Sequence, residues 1–295
     1  MILAQDGQLY RLQNGTFSAL NLPTTGQWMQ PAPVPGTHNF VAVVRATAYS
    51  DVYLISDSGT LLAQLSHNAT TSSVIQYNHW MFWPRVAPDG HTLYVSYDAP
   101  KSPNSYEIEF AVWKGSLGVA LNENTMTQMS QPNAYTGGDT QPVPLGPAGF
   151  VYAKYTIANE QLLSQIAVQH GALADPSLLT GTADDCGQPA LSPDRTQIAM
   201  VCIGGTSGQS SRLEVASFNG TSLGTPRVLV PSCLCAAPQW APDGSGLVYF
   251  NTADATGHFQ LWWIAGAATP APKAARQVTA SDDFDATSPP AWTSS

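Results

Sequence analysis

Charge is what this chain has least of. Asp, Glu, Lys and Arg make up 11% of its 295 residues, against about 25% in ordinary soluble domains. Within that small set cations are the scarcer sign, 11 against 20 acids, for a formal net charge of −9. No Lys/Arg cluster occurs anywhere in the sequence. Affinity for a nucleic-acid backbone rests on clustered cations, so no nucleic-acid partner is expected. An anionic membrane surface is disfavoured on the same ground. Long apolar runs are missing too: none reaches the roughly 18 residues of a membrane span, so no direct membrane insertion is expected. Met1-Ile2-Leu3-Ala4 lacks the basic and apolar stretches of a signal peptide. Cysteine is limited to four residues and histidine to six.

What is present is apolar and turn-rich. Hydrophobic residues make up 43%, with 24 Gly and 23 Pro, a composition of short strands joined by turns with ample material for a core. The length would hold two average domains, but all-β repeat folds often use it as one, and we read residues 1–295 as a single domain. Low charge and an even cysteine count resemble a secreted, periplasmic or cell-surface domain, or the ectodomain of a larger protein, acting as a monomer.

A repeat organises the sequence. Pro238-Gln239-Trp240-Ala241-Pro242-Asp243-Gly244 is followed by the strand-like Leu247-Val248-Tyr249-Phe250. Clear copies begin at Pro84 and Pro189, and degenerate ones at Pro31, Pro142 and Pro290, roughly 50 residues apart. In Ala-Pro-Asp-Gly, Pro presets the first corner, Asp bonds backbone N–H groups ahead of it, and Gly accepts positive φ. Each unit continues with three further β-runs, such as Phe40–Val44, Val52–Ile55 and Leu61–Leu65. Four short strands per unit make the blade of a β-propeller. The N-terminus supplies second, third and fourth strands without a first; the C-terminus supplies a first strand alone. Joined, they close one blade, and the count is six. The expected fold is therefore an all-β six-bladed propeller of four antiparallel strands per blade, with one blade shared between the chain ends.

The Pro-x-Trp-Ala/Ser-Pro-Asp-Gly pattern resembles the WD40-like (PD40) repeats of TolB-like six-bladed propellers. Similar repeats occur in the propellers of prolyl-oligopeptidase-type enzymes and some oligogalacturonate lyases. The resemblance runs through all six anchors and implies protein binding or substrate gating. Where such proteins are catalytic, it implies an attached hydrolase domain, or several channel histidines holding a metal. Here only His79 falls near the expected channel.

Several constellations follow from the register. Trp240 and Trp292 are read as packing between blades. Cys186 and Cys202 lie opposite each other across the Pro193-Asp194-Arg195-Thr196 hairpin, and Cys233 and Cys235 enter the next blade at the same end. Disulfides are expected, with Cys186–Cys202 the natural pair. Cys233–Cys235 would close a tight ring, so swapped pairs stay open. The spacing lacks the Cys-x-x-Cys knuckle of structural zinc. On the same face, the loops entering the first strands carry Asp139, Asp184, Asp185, Asp282, Asp283 and Asp285. Opposite stand Trp28, Gln30, His79, Trp80 and Trp83, with Trp28 and Trp80 as a shared aromatic platform. A channel mouth built of Trp28, Gln30, His79, Trp80, Trp83, Asp139, Asp185 and Asp285 suits a protein segment or small molecule. Asp139, Asp184, Asp185 and Asp285 offer hard oxygens if calcium is bound; no other cofactor is expected. Gly220-Thr221-Ser222-Leu223-Gly224 matches a nucleophile elbow by letters, but it falls between strands of a blade instead of at a strand-to-helix turn. Asn14, Asn68 and Asn219 begin glycosylation sequons. The expected function is a non-catalytic ligand- or protein-binding propeller. The alternative is a polysaccharide lyase or hydrolase with a channel active site, and a third reading is a structural module of a receptor.

Overall fold

The computed structural model describes residues 1–23, 26–70, 77–101, 108–204, 210–253 and 257–293. The chain opens with a three-stranded sheet, β1 (Ile2–Gln5), β2 (Gln8–Gln13) and β3 (Thr16–Ala19). Five four-stranded sheets follow. They are β4–β7 (Gln27–Pro33, Phe40–Arg45, Ser50–Ile55, Leu61–Gln64) and β8–β11 (Met81–Val86, Thr92–Tyr97, Ala111–Ser116, Thr127–Gln128). Next comes β12–β15 (Asp139–Pro144, Gly149–Ala158, Gln161–His170, Ser177–Leu178). The last two are β16–β19 (Cys186–Leu191, Gln197–Cys202, Ser211–Ser217, Arg227–Cys233) and β20–β23 (Ala236–Trp240, Gly246–Thr252, Phe259–Ala265, Arg276–Gln277). We number these blades one to five. Every pairing within them is antiparallel between sequence neighbours.

The chain ends close blade six. Ile2 and Ala291 exchange both backbone hydrogen bonds, at 2.8 and 2.9 Å, and Asp285 N–H donates to the Ala4 carbonyl. Residues around 284–291 thus take the innermost place beside β1, as expected from the termini. Closure removes the unpaired edge that β1 would otherwise expose. The result is a six-bladed β-propeller with essentially no helix among the described residues. No helix among the described residues is long and apolar enough to cross a membrane.

The core is divided as the ring is. Each of six hydrophobic clusters fills the gap between two successive blades, with Val41, Val43, Leu93 and Val95 between blades one and two as an example. Strand alternation explains this: successive side chains point to opposite faces of a blade, and both faces meet a neighbour. Trp240 packs between blades four and five as expected, its indole N–H donating to the Ala190 carbonyl. Phe284 of the closing segment stacks on Phe250 of blade five and Phe17 of blade six, with ring centroids 5.2 and 5.8 Å away.

The repeated turns behave as their residues require. Gly90 N–H donates to the Ala87 carbonyl, Gly90 sits at φ +72°, and Asp89 accepts from the N–H groups of His91 and Thr92. These bonds hold the Asp89 carboxyl below the usual aspartate range, with the Thr92 hydroxyl the largest contributor. The Asp194 and Asp243 turns repeat the pattern. The turn is scaffold.

Candidate functional site

Strand order fixes two faces. One carries the Asp-bearing turns; the other carries the loops entering each first strand, with all four cysteines. On that second face Cys186 bonds Cys202, which is its register partner in the hairpin. Cys233 bonds Cys235, so the pairs are not swapped between blades. Between them the chain leaves β19 and turns a corner, which puts both side chains on one side, with Cα atoms 5.1 Å apart.

The first strands share a feature the sequence reading missed. The residue before the anchor Pro sits at positive φ in all five complete blades: Gln30 (53°), Trp83 (49°), Gln141 (57°), Gln188 (54°) and Ala237 (51°). Each marks a β-bulge, seen as a register shift against the second strand. A bulge takes one N–H out of the ladder, and a buried N–H needs an acceptor. The preceding blade supplies it. Trp83 N–H donates to Gln30 Oε1 (2.7 Å), Gln188 N–H to Gln141 Oε1 (2.9 Å), and Ala237 N–H to Gln188 Oε1. Gln30 N–H itself donates to Ser288 Oγ of blade six (2.6 Å). In blade six the equivalent residue is Pro289, which has no N–H, and Ala237 before it has no side-chain acceptor. The belt breaks at Trp83, whose indole offers Gln141 nothing. The signal was available in the Gln-Pro dipeptides at 30–31, 141–142 and 188–189.

This belt surrounds a narrow throat of about 20 Å³ lined by Trp83, Arg85, Gln141, Gln188, Ala237 and Thr287 among others, room for about one water. Of the expected mouth residues only Trp83 lines it. Trp83 belongs to a half-buried aromatic group with Phe82, Phe110 and Trp80, centroids 5.7 to 6.1 Å apart. Gly138, at φ +100°, lets blade three press its backbone against Phe110, where an added Cβ would collide.

The other expected residues are committed elsewhere. Trp28 is buried between blades six and one, its indole N–H on the Pro23 carbonyl (2.8 Å) and its ring edge-on to Tyr53. Trp28 and Trp80 do not form a shared platform. They stand three and four residues before their anchors, and one residue of offset sends a strand side chain to the opposite face. Gln30 is buried in the belt. His79 Nδ1 lies 2.9 Å from Asp98, which also holds Lys101 (3.1 Å) and the Trp80 N–H (3.0 Å).

The aspartates do not converge. Asp139 is fully buried 3.2 Å from Lys154, with its Oδ2 unbonded. Desolvation pushes its carboxyl up to about 6, Lys154 pulling the other way. Asp185 accepts from the N–H and hydroxyl of Ser164 (2.7 and 3.0 Å), Asp184 from the Gly181 N–H, and Asp285 from the N–H and hydroxyl of Thr287. Each carboxylate is engaged by its own local donors. Among the described residues one group of three His, Cys, Asp or Glu ligand atoms lies close enough for an ion, and it is Cys186, Cys202 and Glu214, whose sulfurs are already bonded together. Gly220–Gly224 joins β18 to β19 through an Asn219-centred turn, so the elbow letters carry no elbow. Asn68 is buried with its amide on the Ser50 carbonyl, which leaves Asn14 and Asn219 as the exposed sequons.

What the cysteine face does present is an apolar groove of about 290 Å³ between blades four and five, lined by Val201, Ile203, Leu234, Cys235, Ala236 and Phe259 among others. Ile203 is 46% and Leu234 48% exposed.

Blades and closure together define the class, a six-bladed β-propeller of TolB-like fold. Solved structures agree in fold. TolB from Acinetobacter baumannii is similar at 17% identity and a TM-score of 0.64, over 90% of this chain and 60% of that one. A putative TolB from Agrobacterium tumefaciens is similar at 12% identity and 0.60, over 94% and 89%. A chain of a nidogen/laminin complex is similar at 11% identity and 0.61, over 90% and 89%. The chain thus spans less than two thirds of the Acinetobacter protein. No protein-family model matches it, and no curated protein does.

Proposed function

We propose that this chain is a non-catalytic binding propeller that holds a protein segment against its cysteine-bearing face. One observation carries the reading: the two most exposed apolar side chains of the groove are fixed by the two disulfides. Ile203 directly follows Cys202, and Leu234 stands between Cys233 and Cys235. Exposed apolar groups held rigid lose little entropy on binding, so more of their burial appears as affinity. The nidogen/laminin structure is of a complex between proteins, and its likeness in fold lends support.

The channel favours binding over a lyase or hydrolase. Among the described residues the ionisable side chains lining it are Arg85 and Arg195, and a guanidinium is too basic to serve as general acid or base near neutral pH. Two disulfides and no free cysteine favour an extracellular, periplasmic or cell-surface location. The reading uses a monomer and no metal; a calcium titration that raises the melting point would overturn the latter part.

The test is a random-peptide display selection on the immobilised chain, followed by titration against Leu234→Asp and Ile203→Asp. Selected peptides should bind the native chain and lose at least tenfold in affinity to either variant, about 1.4 kcal/mol, with melting unchanged. Peptides that bind both variants as well as the native chain would place the interaction elsewhere.

A further inference from the structure

The channel's two ends differ in chemistry. Beyond the throat, on the face carrying the Asp turns, it widens to a cavity of about 290 Å³ walled by Pro31, Pro33, Pro88, Pro144, Pro193 and Pro290. One residue past the anchor Pro, four blades carry Ala32, Val143, Ala190 and Ala291, and a fifth carries Gln239. Blade two carries Arg85. Arg85, Val143 and Gln239 line both the throat and the wide cavity, so they stand at the level between them. Among the described residues Arg85 is the one cation at this level, where four of the other five blades carry Ala or Val.

That cation has no counterion among the described residues. Among the described residues its guanidinium makes a single hydrogen bond, Nη1 to the Pro84 carbonyl at 3.3 Å, out of five donors. Desolvation lowers its pKa to about 10, with no nearby carboxylate opposing, and it stays charged at neutral pH. A chain of net charge −9 has acids to spare, yet none lines this cavity. A second observation points the same way. At the rim, Arg195 occupies φ +61° in the turn position that Gly90 and Gly244 hold in sister blades, a conformation strained for a residue with a Cβ. Among the described residues its guanidinium bonds through Nη1 alone, to the Leu145 carbonyl at 2.8 Å.

We propose that the proline-walled cavity binds a small ligand through one oxyanion group, a carboxylate or a phosphate. The oxyanion pairs with Arg85 at the floor, Arg195 approaches from the rim, and the ligand's apolar body lies on the prolines. Guanidinium matches both oxyanions in planar, two-bond geometry. The site lies on the opposite face from the groove and stands independently of the peptide-binding reading.

Melting of the intact chain, followed at constant ionic strength, tests it. The probes are benzoate, succinate, inorganic phosphate and phenyl phosphate, with sodium chloride as control. A midpoint that rises and saturates with a carboxylate or a phosphate, and not with chloride, is expected, and the series that saturates at lower concentration identifies the class. Arg85→Gln should abolish the shift, and Arg195→Gln should weaken affinity roughly tenfold through loss of a charge-assisted contact. Without ligand, Arg85→Gln should melt no lower than the native chain, because it removes an unpaired desolvated charge. Gln239→Glu keeps Arg85 but sets a carboxylate at its own level, and should block the anion. The proposal is overturned by no saturable shift with any probe, by an equal shift with chloride, or by a shift that survives in both Arg85→Gln and Gln239→Glu.

Discussion

Replacing Asp139 by Asn should change how stability depends on pH, and the structure gives the size. The carboxyl is fully buried, with Oδ2 unbonded, and titrates near 6 in the folded chain against an ordinary value of 3.8. Each tenfold difference in proton affinity is worth ~1.4 kcal/mol, so ionising Asp139 in place costs about 2–3 kcal/mol. The sign follows from proton counting. Between pH 3.8 and 6 the folded chain holds this proton and the unfolded chain releases it, so the contribution to stability is full below 3.8 and lost as pH rises through 6. The amide of the Asp139→Asn variant cannot ionise, and Lys154 keeps its bond to the Gln131 carbonyl. Whatever constant offset the amide introduces, the variant should gain about 2–3 kcal/mol on the native chain between pH 3.5 and 7.5. Urea unfolding followed by tryptophan fluorescence, at constant ionic strength across that range, measures the difference. A difference flat in pH would refute the reasoning. One that runs the other way would show that the Lys154 pair outweighs desolvation.

Other expectations are briefer. Gln188→Ala strands the bulge N–H of Ala237 and should cost about 1–3 kcal/mol in chemical denaturation. Phe284→Ala opens the stack between blades five and six and should cost about 3–5 kcal/mol, enough to broaden or split a single thermal transition. Replacing Cys186 and Cys202 by Ala frees a 16-residue separation and should lower stability by about 3 kcal/mol; the Cys233/Cys235 pair should cost on the order of 1–2 kcal/mol. Thiol titration of the denatured, unreduced chain should find none free; four free thiols would refute both bonds.

Much of the fold was legible because its signals are local. The turn residues at Pro88-Asp89-Gly90 and their relatives need only their own neighbours, and counting them gave blade number and closure. Cys186–Cys202 was legible for the same reason, as a pair equidistant from a hairpin tip. Cys233–Cys235 was not, because the corner that makes it feasible comes from the path between two blades. Burial is what the sequence does not carry: it places Asp139 and Trp28 on one face, but only the packed ring shows that both are buried. The belt and Arg85 are long-range in kind. Gln30 meets Trp83 and Ser288 across blade boundaries, and the solitude of Arg85 becomes visible only when every wall of the channel is in place.

The pairing of Ile2 with Ala291 makes time an element of this architecture. Ile2 and Ala291 are partners across the whole ring, so the loop to be closed holds all five complete blades, the slowest kind of contact to find. Until residue 291 exists, β1 is an open edge, and the throat lacks the wall that Thr287 and Pro289 supply. Binding at the proposed anion site would therefore report on closure of the ring. A chain that binds there has closed, and one stalled or clipped before Ala291 is silent.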